Sequence, residues 1–388
     1  MKNRRIVISG LGVISAAGKG VQATLNSFES SKRNAGSVTL FPTSLKCPVF
    51  EVREVRGEKK ERTLNLALCA VKEALNDARI PEKLSNFRTG VCLGTTVASQ
   101  LNDIDFYRAY RSAGNTPMDA VERFLKGTLS EVIASHIDAK GPFMTVVNAC
   151  SSGTDAIGVA LSWLRSGVCD IAVAGGADEL NTIPFCGFAS LGIASDSLCA
   201  PFDRDRKGLN LGEGAGVLVL ETEEHARQRG RDFDLVLTGY GLASDAYHLT
   251  APHPEGLGLE KALKRAMYES RITYQDVSFV NAHGTATRDN DKVEAKVLNR
   301  VFGSELSFLS TKGFTGHTLG AAGGLEAVFT AIGLREKWIP ASVGFVNQDS
   351  EIPITPVIKK TFVEGSFAIS TSLAFGGNNS AIIIGRAK

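Results

Sequence analysis

The chain has 388 residues, 43% of them hydrophobic, and carries 43 basic against 41 acidic side chains for a formal charge of +2. That length admits two or three domains around a large core, and the near-neutral balance leaves no bulk attraction to nucleic acid or an anionic membrane, so an acidic partner has to be met by a local patch. Seven scattered cysteines without a C-x-x-C pair suggest neither a disulfide framework nor a cysteine zinc site, and a reducing cytoplasm fits them.

The opening MKNRR and IVISGLGVISAAG have the outline of a secretory leader, but Gly10 and Gly12 interrupt the apolar run, which reads instead as a buried strand. No run reaches the roughly 18 apolar residues of a membrane helix. The strand and glycine turn at 5–15 (RIVISGLGVIS) return at 234–244 (DLVLTGYGLAS), and Val7–Ser15 laid over Val236–Ser244 agrees in residue class at almost every position. Each segment is followed by a helix (Asn65–Asp77; Gly258–Ser270) and a short buried strand (Thr89–Gly94; Val277–Asn281). A small-residue turn opening a helix (near 150; near 317) and a closing apolar strand (Ala215–Leu220; Ala381–Ile384) complete each set. The chain therefore reads as a tandem duplication, 1–230 and 231–388, in α/β layers with largely parallel sheets. A dinucleotide fold is opposed by the motif itself, because the third glycine position after Gly10 and Gly12 is Ser15, and no phosphate-binding P-loop is present.

Between these landmarks, GEKKER (57–62) places Lys59, Lys60 and Arg62 before the first long helix, either as solvated surface or as contacts to an acidic partner. In PFMTVVNACSSGTDAIGVALSWLRSG (142–167) a β-branched run stops at Asn148, a sharp break follows, and Ile157, Leu161 and Leu164 take helical spacing. Cys150 sits at that turn. The positive end of a helix favours its thiolate and lowers its pKa, which makes it a candidate nucleophile; the alternative is a small buried hydrophobe. PFDRDRKGLNLGEGAGVLVLE (201–221), which holds Arg206, reads as a tightly specified turn before a buried strand, with charges that could be structural pairs. ETEEHARQRGRD after it reads as a polar helix joining the halves.

Of six histidines, His283 in FVNAHGTATRDND follows a strand, and His317 in STKGFTGHTLGAAGGLEAVFTAIG occupies in the second half the place Cys150 takes in the first. Two such turns would meet near a common axis, giving a thiolate with acid/base or oxyanion partners. A metal site built from His283, Asp289 and Asp291 is the lesser alternative. Near the end of the chain, Phe375-Gly376-Gly377 lies between apolar runs, where a main-chain N–H could serve an oxyanion hole.

Taken together and in order, VVNACSSGTDAI, NAHGTATRDND, STKGFTGHTLGAAGGLE and AFGGNNS resemble the elongating β-ketoacyl-acyl carrier protein synthases. The resemblance implies the thiolase fold, two similar halves in a five-layered αβαβα arrangement. It implies that Cys150 accepts an acyl group from an acyl carrier protein, with the N–H groups of Cys150 and Phe375 holding the oxyanion and Phe375 gating the acyl pocket. His283 and His317 would then bind a malonyl thioester and stabilise the enolate formed as CO2 departs. Lys312 and Glu326 match a supporting lysine and carboxylate, and Thr285 and Thr287 match threonines that contact the phosphopantetheine arm. Lys59, Lys60, Arg62 and Arg206 fall where the family presents charge to its carrier protein.

By the same resemblance the expected partners are that carrier protein and a second chain, as a homodimer or as a heterodimer with a homologous chain-length subunit. No metal or cofactor beyond the carrier's own arm is expected. Fatty-acid members commonly read HGTSTPxxD and FGGTN where this chain has HGTATRDND and FGGNN, departures that point to a specialised system such as polyketide or aryl-polyene synthesis. Two other classes compete. A non-catalytic chain-length subunit is opposed by the intact Cys150, His283 and His317, and a nucleotide-dependent oxidoreductase by the failed fingerprint.

Overall fold

The two glycine-bearing repeats become the paired central strands of the molecule. A computed structural model describes residues 4–55, 61–96 and 103–387. Strand β1 (Ile6–Ser15) lies antiparallel to the strand that opens the second half, Leu235–Ser244, through Ile6, Val7 and Ile8. The first half continues through β2 (Gly18–Lys19), α1 (Val21–Glu29), α2 (Arg62–Asp77), β3 (Thr89–Gly94), α3 (Ile104–Ala113), α4 (Asp119–Leu125) and α5 (Leu129–His136). It closes with β4 (Phe143–Val146), α6 (Ser152–Ser166), β5 (Ile171–Asp178), α7 (Thr182–Ser190), β6 (Gly214–Thr222) and the short polar helix α8 (Glu223–Gln228). The second half runs β7 (Leu235–Ser244), α9 (Leu257–Ser270), β8 (Val277–Asn281), α10 (Arg288–Phe302), β9 (Phe308–Leu309), α11 (Lys312–Thr315) and α12 (Ala322–Glu336). The ribbon β10 (Trp338–Ile339) and β11 (Thr361–Phe362) precedes the final pair, β12 (Phe367–Ala374) and β13 (Asn378–Arg386).

Among the described residues the main sheet runs β4-β3-β5-β6-β1 and then β7-β13-β12-β8-β9. Read backwards, the second set reproduces the first, strand for strand. The pairing is mixed, a correction to the parallel arrangement read from the sequence. Strands β3, β4 and β5 pair in parallel, as do β8, β9 and β12, but β5 with β6, β6 with β1, and β12 with β13 are antiparallel. The cause is the connection: Phe375–Gly377 returns β12 directly into β13, and an antiparallel neighbour needs no crossover helix.

Close approach explains the repeated glycines. A Cβ on Gly10 or Gly12 would lie 2.1 Å from Ala74 O or 1.9 Å from Ala70 O of α2, and one on Gly239 or Gly241 would lie 2.4 Å from Ala266 O or 2.0 Å from Ala262 O of α9. The amide beside each first glycine is taken up by an acidic side chain of the covering helix, Leu11 N–H by Asp77 and Tyr240 N–H by Glu269. Helices α2 and α9 thus cover the outer faces with Leu66, Ala70 and Leu75, and with Leu259, Ala262 and Leu263. Helices α6 and α12 each pack against strands of both halves and form the middle layer, completing the αβαβα order. They cross where a Cβ on Gly153 would meet Gly324 N at 2.6 Å, so the two turns that open these helices are drawn together. No described helix is long and apolar enough to cross a membrane.

Candidate active site

Cys150 stands on a tight turn between β4 and α6. Ala149 adopts φ 49°, a left-handed conformation that costs a non-glycine residue about 1 kcal/mol. The turn is held by side chains: Ser152 Oγ accepts from Asn148 N–H at 2.8 Å and donates to Ala149 O at 2.6 Å, while Asn148 Nδ2 donates to Asp155 Oδ2 at 2.6 Å. Tyr240 OH, from β7, donates to the other oxygen of Asp155 at 2.9 Å. The nucleophile turn of one half is therefore braced by a strand of the other, and Cys150 is left only 5% exposed.

His317 approaches from the equivalent turn before α12. Its N–H donates to Asn210 O and its carbonyl accepts from Gly212 N–H, and Gly320 N–H donates to Asp178 at 2.7 Å, fixing the loop on both sides. Leu319 N–H donates to His317 Nδ1 at 3.2 Å, so the ring proton belongs on Nε2, which lies 3.1 Å from Cys150 Sγ. His283 follows β8, and Glu294 of α10 accepts from the N–H groups of both His283 and Gly284 at 2.8 Å. The Lys312 ammonium lies 3.1 Å from His283 Nδ1 and also bonds the Glu326 carboxylate. Since an ammonium can only donate, this ring too carries its proton on Nε2. The two imidazoles meet edge to face with centroids 5.2 Å apart, and a donor atom from each of Cys150, His283 and His317 falls within 4.8 Å of the others.

Burial sets the charge states. It pushes the Cys150 thiol up to about 12, partly offset by Lys312 and by the Phe375 N–H bonded to the sulfur. This corrects the expectation of a lowered thiol pKa at the helix terminus, because desolvation in a site this closed outweighs the dipole. Burial, with Lys312 close by, also holds both histidines well below their ordinary value, and burial lifts Glu326 to about 7 against the pull of Lys312. The resting site is thus a thiol facing two neutral imidazoles. Three ligand-type residues converge here, and with hydrogens on both Nε2 atoms the two imidazoles face the cysteine as hydrogen-bond donors.

A cavity of about 410 Å³ leads to these atoms, with Thr285, Thr287 and Phe375 in its wall. Thr285 and Thr287 bond each other at 2.9 Å, and the Phe375 ring stacks on Phe188 at 5.6 Å. The basic residues assigned to carrier docking divide differently. Lys59 and Lys60 lie outside the described residues. Arg62 is buried and clamps Glu213 through two bonds of 2.6 and 2.7 Å, so it is an internal ion pair and not a surface charge. Arg206 is corrected likewise: it is 3% exposed and bonds Asp349 at 2.6 Å, the structural pairing that its glycine-rich segment also allowed. The His283, Asp289, Asp291 metal alternative fails too, since Asp291 accepts from Phe202 N–H and Ala286 N–H. Sequence reading passed over Asp155, Asp178 and Glu294, all buried acids that hold backbone or turn geometry. Asp155 and Asp178 carry one signal, an acidic residue within apolar or glycine-rich surroundings, whereas Glu294 lies among charged helix residues and carries none.

This is a buried cysteine with two imidazole Nε2–H groups converging on it across a duplicated α/β fold, the layout of a thioester-handling acyltransferase. The comparisons agree: residues 26–226 match the beta-ketoacyl synthase N-terminal domain and residues 235–346 its C-terminal domain, and the chain belongs to the β-ketoacyl synthase family. It is 31% identical to a 3-oxoacyl-[acyl-carrier-protein] synthase 2 of Synechocystis, over 98% of this chain and 97% of that one. A Staphylococcus aureus protein of the same name is also 31% identical, with 98% of each chain covered. Among solved structures, the ishigamide ketosynthase/chain length factor matches with TM-score 0.93 and 30% identity over 100% of both chains. A Xenorhabdus doucetiae ketosynthase in complex with its chain length factor matches with TM-score 0.86 and 30% identity, covering 99% of this chain and 98% of that one.

Proposed function

We propose that the protein is a β-ketoacyl-acyl carrier protein synthase that extends an acyl chain by decarboxylative condensation with a malonyl thioester. The observation that carries this is the convergence of two Nε2–H donors beside Cys150, each fixed by a bond on its opposite ring nitrogen.

The chemistry follows from those groups. In the first half-reaction Cys150 Sγ attacks the acyl thioester carbonyl, the Phe375 N–H beside the sulfur helps to hold the oxyanion, and the thiol proton leaves with the carrier's sulfur. The proton balance closes without an external base, and because burial holds the thiol up to about 12 the proton has to leave Sγ as the new C–S bond forms. A malonyl thioester then enters. His283 and His317 donate to its carbonyl oxygen, and as the C–C bond to the carboxylate breaks, CO2 leaves and the electron pair becomes an enolate stabilised by those donors. The enolate carbon attacks acyl-Cys150 and the C–S bond breaks. The product is a β-ketoacyl thioester two carbons longer, and the released thiolate takes a proton from water. Loss of CO2 supplies the carbanion, so the balance calls for no redox cofactor or metal. Neutral imidazoles are required, because a buried imidazolium would be costly, and the site keeps both neutral.

The substrates arrive on a carrier protein's phosphopantetheine arm, running past Thr287 and Thr285 with Phe375 at the entrance to the acyl pocket. The protein works in the cytoplasm as a dimer, with itself or with a homologous chain-length subunit. The solved relatives that combine a ketosynthase with a chain length factor support the second arrangement, and the HGTATRDND and FGGNN departures support polyketide or polyene synthesis as its pathway. The intact site makes this chain the catalytic member. The test is CO2 release from a malonyl-loaded carrier protein supplied alone. The wild type should decarboxylate it, and His283→Ala should do so about 100-fold or more slowly; equal rates would remove the histidines from that step.

A further inference from the structure

We propose that Arg288 holds the phosphodiester of the incoming phosphopantetheine arm at the mouth of the cavity. The inference rests on reading that cavity as the path of the arm. Along the segment that follows β8, exposure rises step by step: His283 is 1% exposed and Thr285 6%, Thr287 is half-buried and Arg288 is open to solvent, and all four line the one cavity. The arm has the same order, with its thioester at the reacting end, its amides next and its phosphodiester last. A thioester at His283 and amides at the threonines bring the phosphate to the residue one step further out.

Of the described residues, two cations line the cavity, Lys207 and Arg288, and the cations of neighbouring segments face carboxylates. Arg204 faces Asp205 at 3.2 Å, Arg206 faces Asp349 at 2.6 Å, Lys292 pairs with Glu351, and Lys207 has Asp196 at 4.0 Å. Among the described residues the Arg288 guanidinium has no hydrogen bond and no ion pair within 4.0 Å, although its charge reaches Asp205 and Asp349 and adds to the lowering of both carboxyls; its carbonyl accepts from Arg206. It is also the first residue of the 15-residue helix α10, whose positive end adds to its attraction for an anion. A guanidinium offers the forked geometry that phosphate oxygens take, which a point charge does not. Asp289, next in sequence and also in the wall, carries the opposite charge, so the fork of Arg288 and not the net charge of the rim makes the selection.

The test compares Cys150 acylation by an acyl-phosphopantetheine and by the acyl-pantetheine that lacks the phosphate, read as intact-protein mass against time. The wild type should prefer the phosphorylated donor by about tenfold or more in kcat/KM. Arg288→Ala should reduce that preference to about twofold, Arg288→Lys should keep part of it, and Asp289→Asn should raise it. A wild type without preference, or a preference that survives Arg288→Ala, overturns the assignment while leaving acyl transfer to Cys150 intact. Failure of both donors to acylate folded protein would instead overturn the reading of the cavity on which the assignment rests.

Discussion

Replacing Lys312 with methionine separates the stability of the buried charge pair from its chemistry. The ammonium bonds Glu326, the His283 carbonyl and His283 Nδ1, and both charged residues are 2% exposed. Among the described residues the second oxygen of Glu326 has no hydrogen-bond partner, so without Lys312 the side chain of this buried carboxylate has none there. Breaking such a pair costs about 3–5 kcal/mol while the remaining group stays charged. Glu326 can escape by taking a proton, and its pKa is already raised to about 7 from 4.5. A carboxyl with a raised folded-state pKa adds stability that is complete below its unfolded value and is lost as pH rises through the folded one. In Lys312→Met that folded value climbs further, so stability keeps falling at up to about 1.4 kcal/mol per pH unit into a range where the wild type has levelled off. Urea unfolding should therefore show a deficit that is larger at about pH 8 than at about pH 5.5 by up to about 1.4 kcal/mol, since pH 8 lies about one unit above the wild-type folded value.

Chemistry should not follow stability. His283 Nδ1 loses the donor that keeps its proton on Nε2, so malonyl decarboxylation should fall about 100-fold or more even at about pH 5.5, where the variant is stable. The double variant Lys312→Met/Glu326→Leu replaces the pair with apolar side chains of similar size and should regain the stability but not the decarboxylation. A deficit equal at both pH values would refute the assignment of the pair, and full decarboxylation by the double variant would refute the role of Lys312 toward His283.

Three further outcomes follow from single contacts. His317→Ala should block decarboxylation more than acylation of Cys150, and equal losses in the two half-reactions would count against that division of labour. Gly153→Ala places a methyl 2.6 Å from Gly324 N at the crossing of α6 and α12, and should cost about 1–3 kcal/mol in urea unfolding and slow both half-reactions; an unchanged midpoint would contradict the close approach. Glu221 is driven upward by burial but more than compensated by Arg229 and His225, which bring it to about 2 from 4.5. Its contribution of about 3 kcal/mol is present above pH 4.5 and lost as pH falls toward 2, so Glu221→Gln should be destabilised at neutral pH and show a flatter loss of stability on acidification.

The duplication was legible because close packing leaves a mark in residue type: Gly10 and Gly12, and Gly239 and Gly241, are where helices press on strands. The nucleophile and both histidines were legible because each lies in a small-residue turn that leads into a helix. Strand direction was not, since β5-to-β6 and β12-to-β13 return without a crossover and nothing in their apolar runs records orientation. The charge state of Cys150 was misread because local sequence displays the helix end but not the burial imposed by α12 from the other half of the chain. Arg62 and Arg206 were misread as surface for the same reason, their partners Glu213 and Asp349 being more than 140 residues away.

The most direct test of the account is a two-stage experiment on Cys150. Incubation with an acyl-loaded carrier protein should add one acyl mass to the peptide that contains Cys150, and Cys150→Ala, folded, should gain none. Addition of a malonyl-loaded carrier should then remove that mass, release one CO2 per acyl group and yield a β-ketoacyl thioester two carbons longer. An adduct on another residue, or one on Cys150 that malonyl carrier cannot discharge, would contradict the central claim that this cysteine and its two imidazoles form a condensing site.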